Sequence, residues 1–365
     1  MAKLDASGIR KVFDLAASMK NPVNLSIGQP DFDVPDPVKK AAIEAIQAGR
    51  NRYTVTQGIP DLHDALRAHI NEKKGFDPDG LLVTSGVSGA LLLAFLALVE
   101  PGDEVLIPDP YFVMYKHLVN LCDGVPVFVD TYPDFKVTAE MLRAEVTART
   151  KMILLNTPAN PTGALIDDAE LPKIAELARE CDLLLISDEI YDCFAYDGEP
   201  ASVGALYPKT LVMGGFSKSH AMTGWRLGYV AGPADIVQEM TKLQQFSFVC
   251  APSFSQVAGL TALQTDVTEY REAYRRKRDR IYAGLRDAGY DVQRPGGAFY
   301  IFPMAPWGSD IEFVSEAIRN ELLIIPGSVF SERDTHLRIS YAASDETIEQ
   351  GLDVLRRLIE QGPPD

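Results

Sequence analysis

The sequence predicts an α/β fold built on a mainly parallel β-sheet, with a smaller second domain of α+β type. Strand and helix signals alternate through the middle of the chain, which is the pattern of strands connected by crossover helices. Most of the predicted strands are near-continuous apolar runs, as expected where helices cover both faces of a sheet. From about residue 253 the pattern changes to long helices and short strands, which indicates the second domain.

The individual elements follow from the hydrophobic pattern. Seven apolar runs of strand length are expected to form the large sheet, at residues 81–84, 104–108, 125–130, 152–156, 183–187, 210–214 and 227–232. Segments with helical periodicity lie between them, at 88–98, 114–121, 139–147 and 168–180. The C-terminal part contains a predicted helix at 268–288, short strands at 298–302, 322–326 and 337–341, and a last helix at 345–360.

The composition is that of a globular protein with a sizeable core. The 365 residues are 46% hydrophobic, and this length suits two domains or one large domain with an elaboration. There are 51 acidic residues against 35 basic ones, so the formal net charge is −16. Because nucleic acids and anionic membranes attract clustered Lys and Arg, this charge argues against both as partners. The richest basic run, 271–280, contains two acidic residues and has the spacing of a solvated helix face.

Cysteine usage and the lengths of the apolar runs predict a cytoplasmic protein. The four cysteines, at 122, 181, 193 and 250, have wide spacing without a C-x-x-C pair, which favours reduced thiols. The N-terminal residues contain no apolar signal-peptide core. The longest apolar run, 90–99, is far shorter than the roughly 20 residues that span a bilayer. We therefore expect neither secretion nor a membrane span.

Polar residues that follow the apolar runs are candidates for a binding site. In open α/β sheets the ligand lies beyond the carboxyl ends of the strands, so functional side chains gather there. After the run 81–84 comes the sequence SGVSG, residues 85–89, which opens a helix with small residues. Its backbone N–H groups can bind an anion at the positive end of the helix dipole. An ordinary strand-to-helix turn has the same composition.

A second candidate follows the run 152–156. The sequence TPANPTG, residues 157–163, places two prolines and a glycine around Asn160. The restricted backbone holds this side chain in place, and its amide can both donate and accept hydrogen bonds. As a simple turn, the same sequence needs no ligand.

The third candidate is a pair of carboxylates, Asp188 and Glu189, followed by Tyr191 after the run 183–187. Successive strand residues face opposite ways, so one carboxylate is expected to face the ligand and the other to face away. A buried carboxylate without a cation costs free energy or takes up a proton, so we expect a partner. Either a structural salt bridge or a protonated ring nitrogen of a ligand supplies that partner.

The fourth candidate is the sequence GGFSKSHAMTGWRLGY, residues 214–229. Lys218 lies among small residues, where partial desolvation and nearby cations lower the pKa of an amine and favour its attack on a carbonyl. Arg226 offers a planar fork suited to phosphate or carboxylate. Each loop alone has an ordinary structural interpretation. Together the four supply an amine, an acid, a phenol, an amide and an anion site, which suits an aldehyde that carries a phosphate and a basic ring nitrogen.

Eight segments of the sequence resemble the class I/II aminotransferases, pyridoxal-phosphate enzymes of fold type I. They follow the family's order over nearly the whole chain: LSIGQPDF (25–32), YTVTQGIPDL (53–62), PDPYF (108–112), NTPANPTG (156–163), SDEIY (187–191), SKSHAMTGWRLGY (217–229), PGGAFY (295–300) and LRISYA (337–342). The resemblance implies a large domain, 45–265, with a seven-stranded, mainly parallel sheet. It further implies a small domain formed by both termini, 1–44 and 266–365, and a homodimer with active sites at the subunit interface.

The resemblance implies that pyridoxal phosphate is the cofactor and assigns residues to it by position. Lys218 forms a Schiff base with the cofactor in this scheme, and Asp188 pairs with the protonated ring nitrogen and keeps the ring an electron sink. Tyr191 and Asn160 form hydrogen bonds with the ring 3-oxygen. The resemblance thereby implies that these four side chains contact one cofactor.

The resemblance also assigns the two anion-binding ends of the site. The implied phosphate ligands are Arg226, Ser217, Val87, Ser88 and, reaching over from the partner subunit, Tyr53. Phe112, in preference to the adjacent Tyr111, is expected to stack on the cofactor ring. Arg338 matches the arginine that binds the substrate α-carboxylate bidentately, helped by Asn160 and the backbone of Gly28.

The implied reaction moves an amino group between an L-amino acid and a 2-oxo acid with ping-pong kinetics, and Lys218 serves as the general base. Two alternatives share the motifs. A β-lyase of the cystathionine β-lyase type uses the same lysine, aspartate, tyrosine and arginines. A non-catalytic regulator binds pyridoxal phosphate beside a DNA-binding domain, which the net charge of −16 and the start of the family pattern within the first 30 residues disfavour.

Two positions depart from the family pattern near Lys218. Three residues before it many relatives carry a serine that contacts phosphate, whereas this chain has Gly215, so Ser88 or Ser85 is the candidate to replace the missing hydroxyl. Two residues after it an aromatic residue is common, whereas this chain has His220. We interpret His220 as an ordinary packed or solvated histidine in preference to a pocket residue. The other histidines lack metal-ligand spacing, so no metal is expected.

The preferred amino acid is left open by the sequence. The segment 7–13 resembles the part that covers the pocket in relatives, and it combines the apolar Ile9 and Phe13 with Arg10. Such a segment suits an apolar or an acidic substrate side chain. No residue of this chain can be assigned to the distal carboxylate of a dicarboxylic substrate from the sequence.

Overall fold

The fold was obtained as a computed structural model that describes residues 19, 22–198 and 200–364. The strands are β1 (Val23–Asn24), β2 (Gly80–Ser85), β3 (Glu104–Asp109), β4 (Val125–Asp130), β5 (Thr150–Asn156), β6 (Leu184–Asp188), β7 (Thr210–Gly215), β8 (Leu227–Gly232), β9 (Tyr300–Ile301), β10 (Leu322–Leu323), β11 (Ile325–Pro326) and β12 (Leu337–Ser340). The helices are α1 (Asp36–Gln47), α2 (Pro60–Lys74), α3 (Gly86–Leu98), α4 (Met114–Leu121), α5 (Ala139–Ala144), α6 (Leu171–Glu180), α7 (Ala234–Phe246), α8 (Ser253–Gln264), α9 (Thr268–Asp287), α10 (Asp310–Arg319) and α11 (Asp345–Gln361).

The centre of the described part of the chain is a seven-stranded sheet with the order β2-β8-β7-β6-β5-β3-β4. Strands β3 to β7 run parallel to one another, and β8 is antiparallel to both β2 and β7. Each of these strands contains one of the predicted apolar runs, apart from single residues at some ends. The expected α/β class and the mainly parallel sheet are therefore confirmed.

Helix α3 shows how the sequence places one element in the core. It reads GVSGALLLAFLAL and is apolar on nearly every side, which is typical of a helix surrounded by protein. Its side chains Leu91, Leu93 and Phe95 are all buried in the core. The helix begins directly after β2, so its N-terminus lies at the carboxyl edge of that strand.

Smaller sheets join the two ends of the chain. Strand β1 pairs in parallel with β10, and β11, β12 and β9 form an antiparallel sheet. The single strand expected at 322–326 is two strands with different partners, because β10 pairs with β1 while β11 pairs with β12. The pairing of residues 23–24 with 322–323 suits a small domain formed by both termini, whose proposed boundaries stay a prediction.

Other differences concern element ends and one arginine. The helix predicted at 168–180 begins at Leu171, because Pro172 is tolerated only in the first turn of a helix. The basic run 271–280 is helical as expected, in α9. Its face is not solvated throughout, however: Arg278 is fully buried and donates a hydrogen bond of 2.8 Å to the carbonyl of Pro295.

The remaining expectations concern a membrane span, the cysteines and the N-terminal segment. None of the described helices is both long enough and apolar enough to cross a membrane. The four cysteines all lie in the described ranges and are unpaired. The segment 7–13, expected to cover the pocket, lies outside the described residues.

Candidate active site

The four predicted strand-end loops meet at one cavity of about 230 Å³. The cavity lies at the carboxyl edge of β5, β6 and β7, beside the N-terminus of α3. Every site residue predicted from the sequence except Tyr53 lines it: Lys218, Asp188, Tyr191, Asn160, Arg226, Ser217, Val87, Ser88, Phe112, Arg338 and Gly28. Residues far apart in the sequence thus form a single site.

Lys218 follows β7 and extends into the cavity. Its Nζ donates a hydrogen bond of 2.7 Å to the carbonyl of Gly28 and lies 5.8 Å from the centre of the Tyr191 ring. Burial, together with the charges of Arg338 and Arg226, lowers the pKa of this amine to about 8, although the charge of Asp188 opposes them. The amine is therefore more readily deprotonated than an ordinary lysine, as the sequence predicts.

Asp188 is the carboxylate that faces the cavity. It ends β6, is 3% exposed, and accepts hydrogen bonds from the Tyr115 hydroxyl at 2.7 Å and the Ile190 N–H at 3.2 Å. Among the described residues no cation forms an ion pair with it. Burial raises the pKa of Asp188 to about 6, against the opposing effect of these hydrogen bonds. A buried carboxylate of this kind suits the protonated ring nitrogen of pyridoxal phosphate.

Glu189 faces the other way, as the alternation along a strand predicts. Its carboxylate lies 2.7 Å from the amine of Lys74, at the end of α2. The sequence left two kinds of partner open for a buried carboxylate, a structural salt bridge and the ring nitrogen of a ligand. Glu189 has the structural salt bridge. Asp188 keeps its carboxylate available to a ligand.

One end of the cavity is built to bind an anion. Arg226 donates hydrogen bonds to the carbonyls of Thr223 at 2.9 Å and Ser85 at 3.2 Å, which direct its guanidinium to the start of α3. Gly86 has a φ of +67°, and a Cβ there would lie 2.6 Å from Nη2 of Arg226, so only glycine permits this approach. Ser85 is the N-cap residue of α3, and its side chain forms no hydrogen bond with the N–H groups of the first turn. Phosphate suits this combination of a guanidinium and a helix N-terminus.

The other end of the cavity holds Arg338, on β12. This arginine is 1% exposed; Nη1 donates to Asn160 Oδ1 at 3.2 Å and Nη2 to the carbonyl of Ser26 at 2.9 Å. Its guanidinium lies between the rings of Tyr300 and Phe330, 4.7 and 4.4 Å from their centres. Nε has no hydrogen-bond partner, and no carboxylate among the described residues pairs with the group. A buried guanidinium left in this state fits a carboxylate ligand.

Three cavity residues carry polar contacts that sequence reasoning did not assign. Tyr115, on α4, bonds Asp188, and the Tyr300 hydroxyl lies 3.0 Å from the hydroxyl of Tyr191. Asn156 donates to the carbonyl of Asp188 and accepts from the N–H of Asn160. Asn156 and Tyr300 lie inside motifs quoted above. Tyr115 follows Phe112 by three residues, and no motif pointed to it.

The two adjacent aromatic residues after β3, Tyr111 and Phe112, have different surroundings. Phe112 lines the cavity. Tyr111 instead donates a hydrogen bond to Glu332 and stacks on Phe128, with ring centres 4.8 Å apart. Phe112 is therefore the one placed to contact a ring in the cavity.

Tyr53 lies outside this cavity in the same chain and is 83% exposed. It borders an open surface hollow together with Asn51, Arg52, Phe248 and residues 250–254. Its expected contact with phosphate in a partner subunit stays a prediction.

The two departures from the family pattern lie on the far side of the Lys218 loop. Gly215 and His220 border a second cavity and not the active cavity. A Cβ on Gly215 would lie 2.9 Å from Cα of Gly228, so the glycine permits close contact with β8. The expectation that Ser88 or Ser85 replaces the missing hydroxyl stays a prediction. His220 is buried beside Ser219, and burial lowers its pKa, as for an ordinary packed histidine.

This layout is that of the fold type I enzymes, the class to which the aspartate aminotransferase-like proteins belong. Comparison with known proteins narrows the assignment. The family model described as Aminotransferase class I and II matches residues 20–355. The chain therefore belongs to the class I and II aminotransferase family, whose members depend on pyridoxal phosphate.

Similar proteins support the same conclusion over the full length. The chain is 37% identical to the aspartate aminotransferase of Pyrococcus abyssi, covering 98% of this chain and 97% of that one. It is 36% identical to aromatic-amino-acid aminotransferase 2 of Thermococcus litoralis, with the same coverage. The structure of the Thermus thermophilus aspartate aminotransferase with maleate superposes with a TM-score of 0.94 at 35% identity and 97% coverage of each chain. The aminotransferase interpretation is confirmed, in preference to a lyase or a regulator.

Proposed function

We propose that the active cavity binds pyridoxal phosphate and transfers an amino group between an L-amino acid and a 2-oxo acid. The observation that carries the proposal is the convergence of Lys218, Asp188 and Arg338 on one cavity. Lys218 has an amine of lowered pKa, and within the described part of the chain the buried Asp188 carboxylate has no cation and the buried Arg338 guanidinium has no carboxylate. Each group lacks a partner that the cofactor or the substrate supplies.

Groups from several elements are assigned to holding the cofactor. Asp188 pairs with its ring nitrogen, Arg226 and the N-terminus of α3 bind its phosphate, and Phe112 contacts its ring. Tyr191 and Asn160 serve its 3-oxygen. When bound, pyridoxal phosphate supplies an aldehyde carbon for the Lys218 amine and a ring that stabilises negative charge on the substrate Cα.

Lys218 also moves the proton in the reaction. Once a substrate amine has displaced it, its Nζ is a free base in a cavity whose burial lowers its pKa to about 8. It takes the proton from the substrate Cα and returns it on the cofactor side, as general base and then general acid. The ring of Tyr191 lies beside this amine, with its centre 5.8 Å from Nζ.

Arg338 orients the substrate through its α-carboxylate. Its planar fork binds a carboxylate bidentately, and Asn160 and the backbone of Gly28 border the same end of the cavity. Because one arginine binds the carboxylates of the amino acid and of the 2-oxo acid, the two substrates bind in turn and ping-pong kinetics follow. Relatives are named for aspartate and for aromatic amino acids, so these are the first substrates to test.

The proposed assembly is a cytoplasmic homodimer with shared active sites. Exposed apolar side chains at the surface hollow, or within two residues of one that borders it, support a subunit contact there: Phe246 is 90% exposed, Tyr53 83% and Val55 58%. Large exposed apolar side chains gathered on one face are typical of protein interfaces. In this arrangement Tyr53 reaches the phosphate end of the partner subunit's cavity.

The experiment is spectroscopic. Single amino acids are added to the purified holoenzyme, and loss of the visible absorbance of the lysine-bound cofactor, reversed by a 2-oxo acid, is the expected result. Absence of any spectral change with every amino acid would refute the proposal. Lys218→Ala is expected to bind the cofactor without this absorbance. Lys242→Ala, which removes an exposed lysine on α7, is the matched control and keeps wild-type behaviour.

A further inference from the structure

The turn after β6 presents side chains to two different places. Asp188 and Tyr191 line the active cavity. Glu189 and Asp192 point away from it, toward the C-terminal end of α2. The orientation of this turn therefore sets the positions of both Asp188 and Tyr191 in the cavity.

A single amine holds the two outward-facing carboxylates. Nζ of Lys74 lies 2.7 Å from Oε2 of Glu189 and 2.6 Å from Oδ2 of Asp192. The remaining oxygen of Glu189 accepts hydrogen bonds from the hydroxyls of Ser187 at 2.8 Å and Ser202 at 2.7 Å. Lys74, Glu189 and Asp192 are referred to below as the Lys74 cluster.

The Lys74 cluster is buried, and its charges persist. The side chains of Lys74 and Glu189 are 4% and 5% exposed, and that of Asp192 is 34% exposed. Burial by itself lowers the pKa of Lys74, but the two carboxylates outweigh it and raise the pKa well above the usual range. Lys74 is also the last residue of α2, where the helix dipole favours a cation. The ion pairs therefore stay intact across the pH range of the reaction.

Buried ion pairs contribute little net stability, because desolvation offsets their attraction. Their contribution lies in geometry, since two carboxylates bound to one Nζ restrict both the position and the rotation of the segment between them. Catalytic groups must be held to about 0.5 Å of their productive positions, so this restriction matters for Asp188 and Tyr191.

We propose that Lys74 is a positioning residue, which sets the locations of Asp188 and Tyr191 by binding Glu189 and Asp192 from behind. The proposal rests on the cofactor contacts assigned above to Asp188 and Tyr191. Lys74 touches neither the cavity nor a bound molecule in it. Its effect passes through the turn alone.

The test is the pH titration of the visible absorbance of the lysine-bound cofactor, measured on the holoenzyme without substrate. This titration depends on the hydrogen bonds that the cofactor receives, so a purely structural residue leaves it unchanged. Asp192→Asn removes one ion pair at the partly exposed end of the cluster. We expect it to shift the titration midpoint by about 0.5 pH unit and to lower kcat about fivefold, since small displacements of catalytic groups have effects of this order.

The double variant Lys74→Met/Glu189→Gln removes the cluster without leaving an uncompensated buried charge. We expect a shift of about 1 pH unit and a fall in kcat of about 50-fold. The KM of each substrate stays within about threefold of wild type, because Arg338 binds the carboxylate and does not touch the turn. Lys74→Arg restores most of the wild-type titration.

Lys209→Met is the matched control. It removes another lysine ion pair between the segments that enter β6 and β7, at the opposite end of these strands, where Lys209 binds Asp182 at 2.7 Å. This variant is expected to titrate as wild type. Asp192→Asn keeps the proposal testable if the double variant fails to fold, and an unchanged midpoint in Asp192→Asn overturns it. A wild-type holoenzyme without the absorbance overturns the proposed role of Lys218 and the Lys74 proposal together.

Discussion

The ionised carboxylate of Asp188 is expected to destabilise the folded protein when no cofactor is bound. The substitution Asp188→Asn is expected to remove this destabilisation. The carboxylate is 3% exposed and has no cationic partner among the described residues, so its ionised form is poorly solvated in the folded chain. Asparagine has nearly the same shape and carries no charge. The substitution therefore removes a desolvation cost and retains an acceptor for the Tyr115 hydroxyl, which lies 2.7 Å from the carboxylate.

The magnitude follows from the pKa of Asp188, which burial raises from its ordinary value of 3.8 to about 6. Between these two values the folded state holds a proton that the unfolded state has released, so the free energy of unfolding falls as pH rises through this window. The cost is fully present above pH 6, where it amounts to roughly 3 kcal/mol, and it is roughly half of that at pH 5. Apoprotein with Asp188→Asn should exceed wild type in stability by these amounts.

Urea unfolding of the two apoproteins at pH 5, 6.5 and 8 measures the difference. The gap between Asp188→Asn and wild type should widen between pH 5 and pH 6.5 and stay nearly constant from there to pH 8. An equal gap at every pH would refute the reasoning, because it would mean that the Asp188 carboxyl titrates alike in the folded and unfolded chains. Asp182→Asn is the matched control: this exposed carboxylate pairs with Lys209, which lowers its pKa, so its removal produces no widening gain.

Three further predictions concern the site and its surroundings. Arg338→Ala should raise KM for every amino acid about 100-fold in steady-state kinetics, and an unchanged KM would remove it from the carboxylate site. Tyr115→Phe should raise the pKa of Asp188 and weaken cofactor binding about tenfold at pH 7, measured by titrating apoprotein; wild-type affinity would contradict this. Gly215→Ala should lower the free energy of unfolding by about 1–3 kcal/mol, because its Cβ meets the β8 backbone at 2.9 Å. Gly224→Ala serves as its control, because a Cβ at Gly224 would have no atom within 4 Å. Equal free energies of unfolding for the two variants would refute the clash at Gly215.

Local hydrophobic pattern was sufficient for the main elements of the fold. All seven strands of the large sheet coincide with apolar runs in the sequence, because strands covered on both faces must be apolar along their whole length. The short strands were less predictable. β10 and β11 form one continuous run in the sequence, and only their different partners divide it.

Motif residues at the ends of these strands identified most of the candidate site. Residues such as Lys218, Asp188 and Asn160 lie directly after apolar runs, and parallel strands bring those ends to the same edge of a sheet. Arg338 lies on β12, outside the large sheet, and was identified only through the motif LRISYA. No local pattern distinguishes a substrate-binding arginine from a structural one. Its contacts with Asn160 and Ser26 are visible only in the folded chain.

The sequence by itself determined the strands of the large sheet, six of the described helices and the residue types that gather at the carboxyl edge of the sheet, since these depend on local periodicity and on short motifs. Tertiary structure alone decided which groups lack partners and which have them. Asp188 and Glu189 are adjacent in the sequence, yet Glu189 meets Lys74, 115 residues away, and Asp188 meets Tyr115, 73 residues away. Burial and charge pairing are set by such distant contacts, so the pKa values and the close contact of Gly215 with β8 emerge only when the chain is folded.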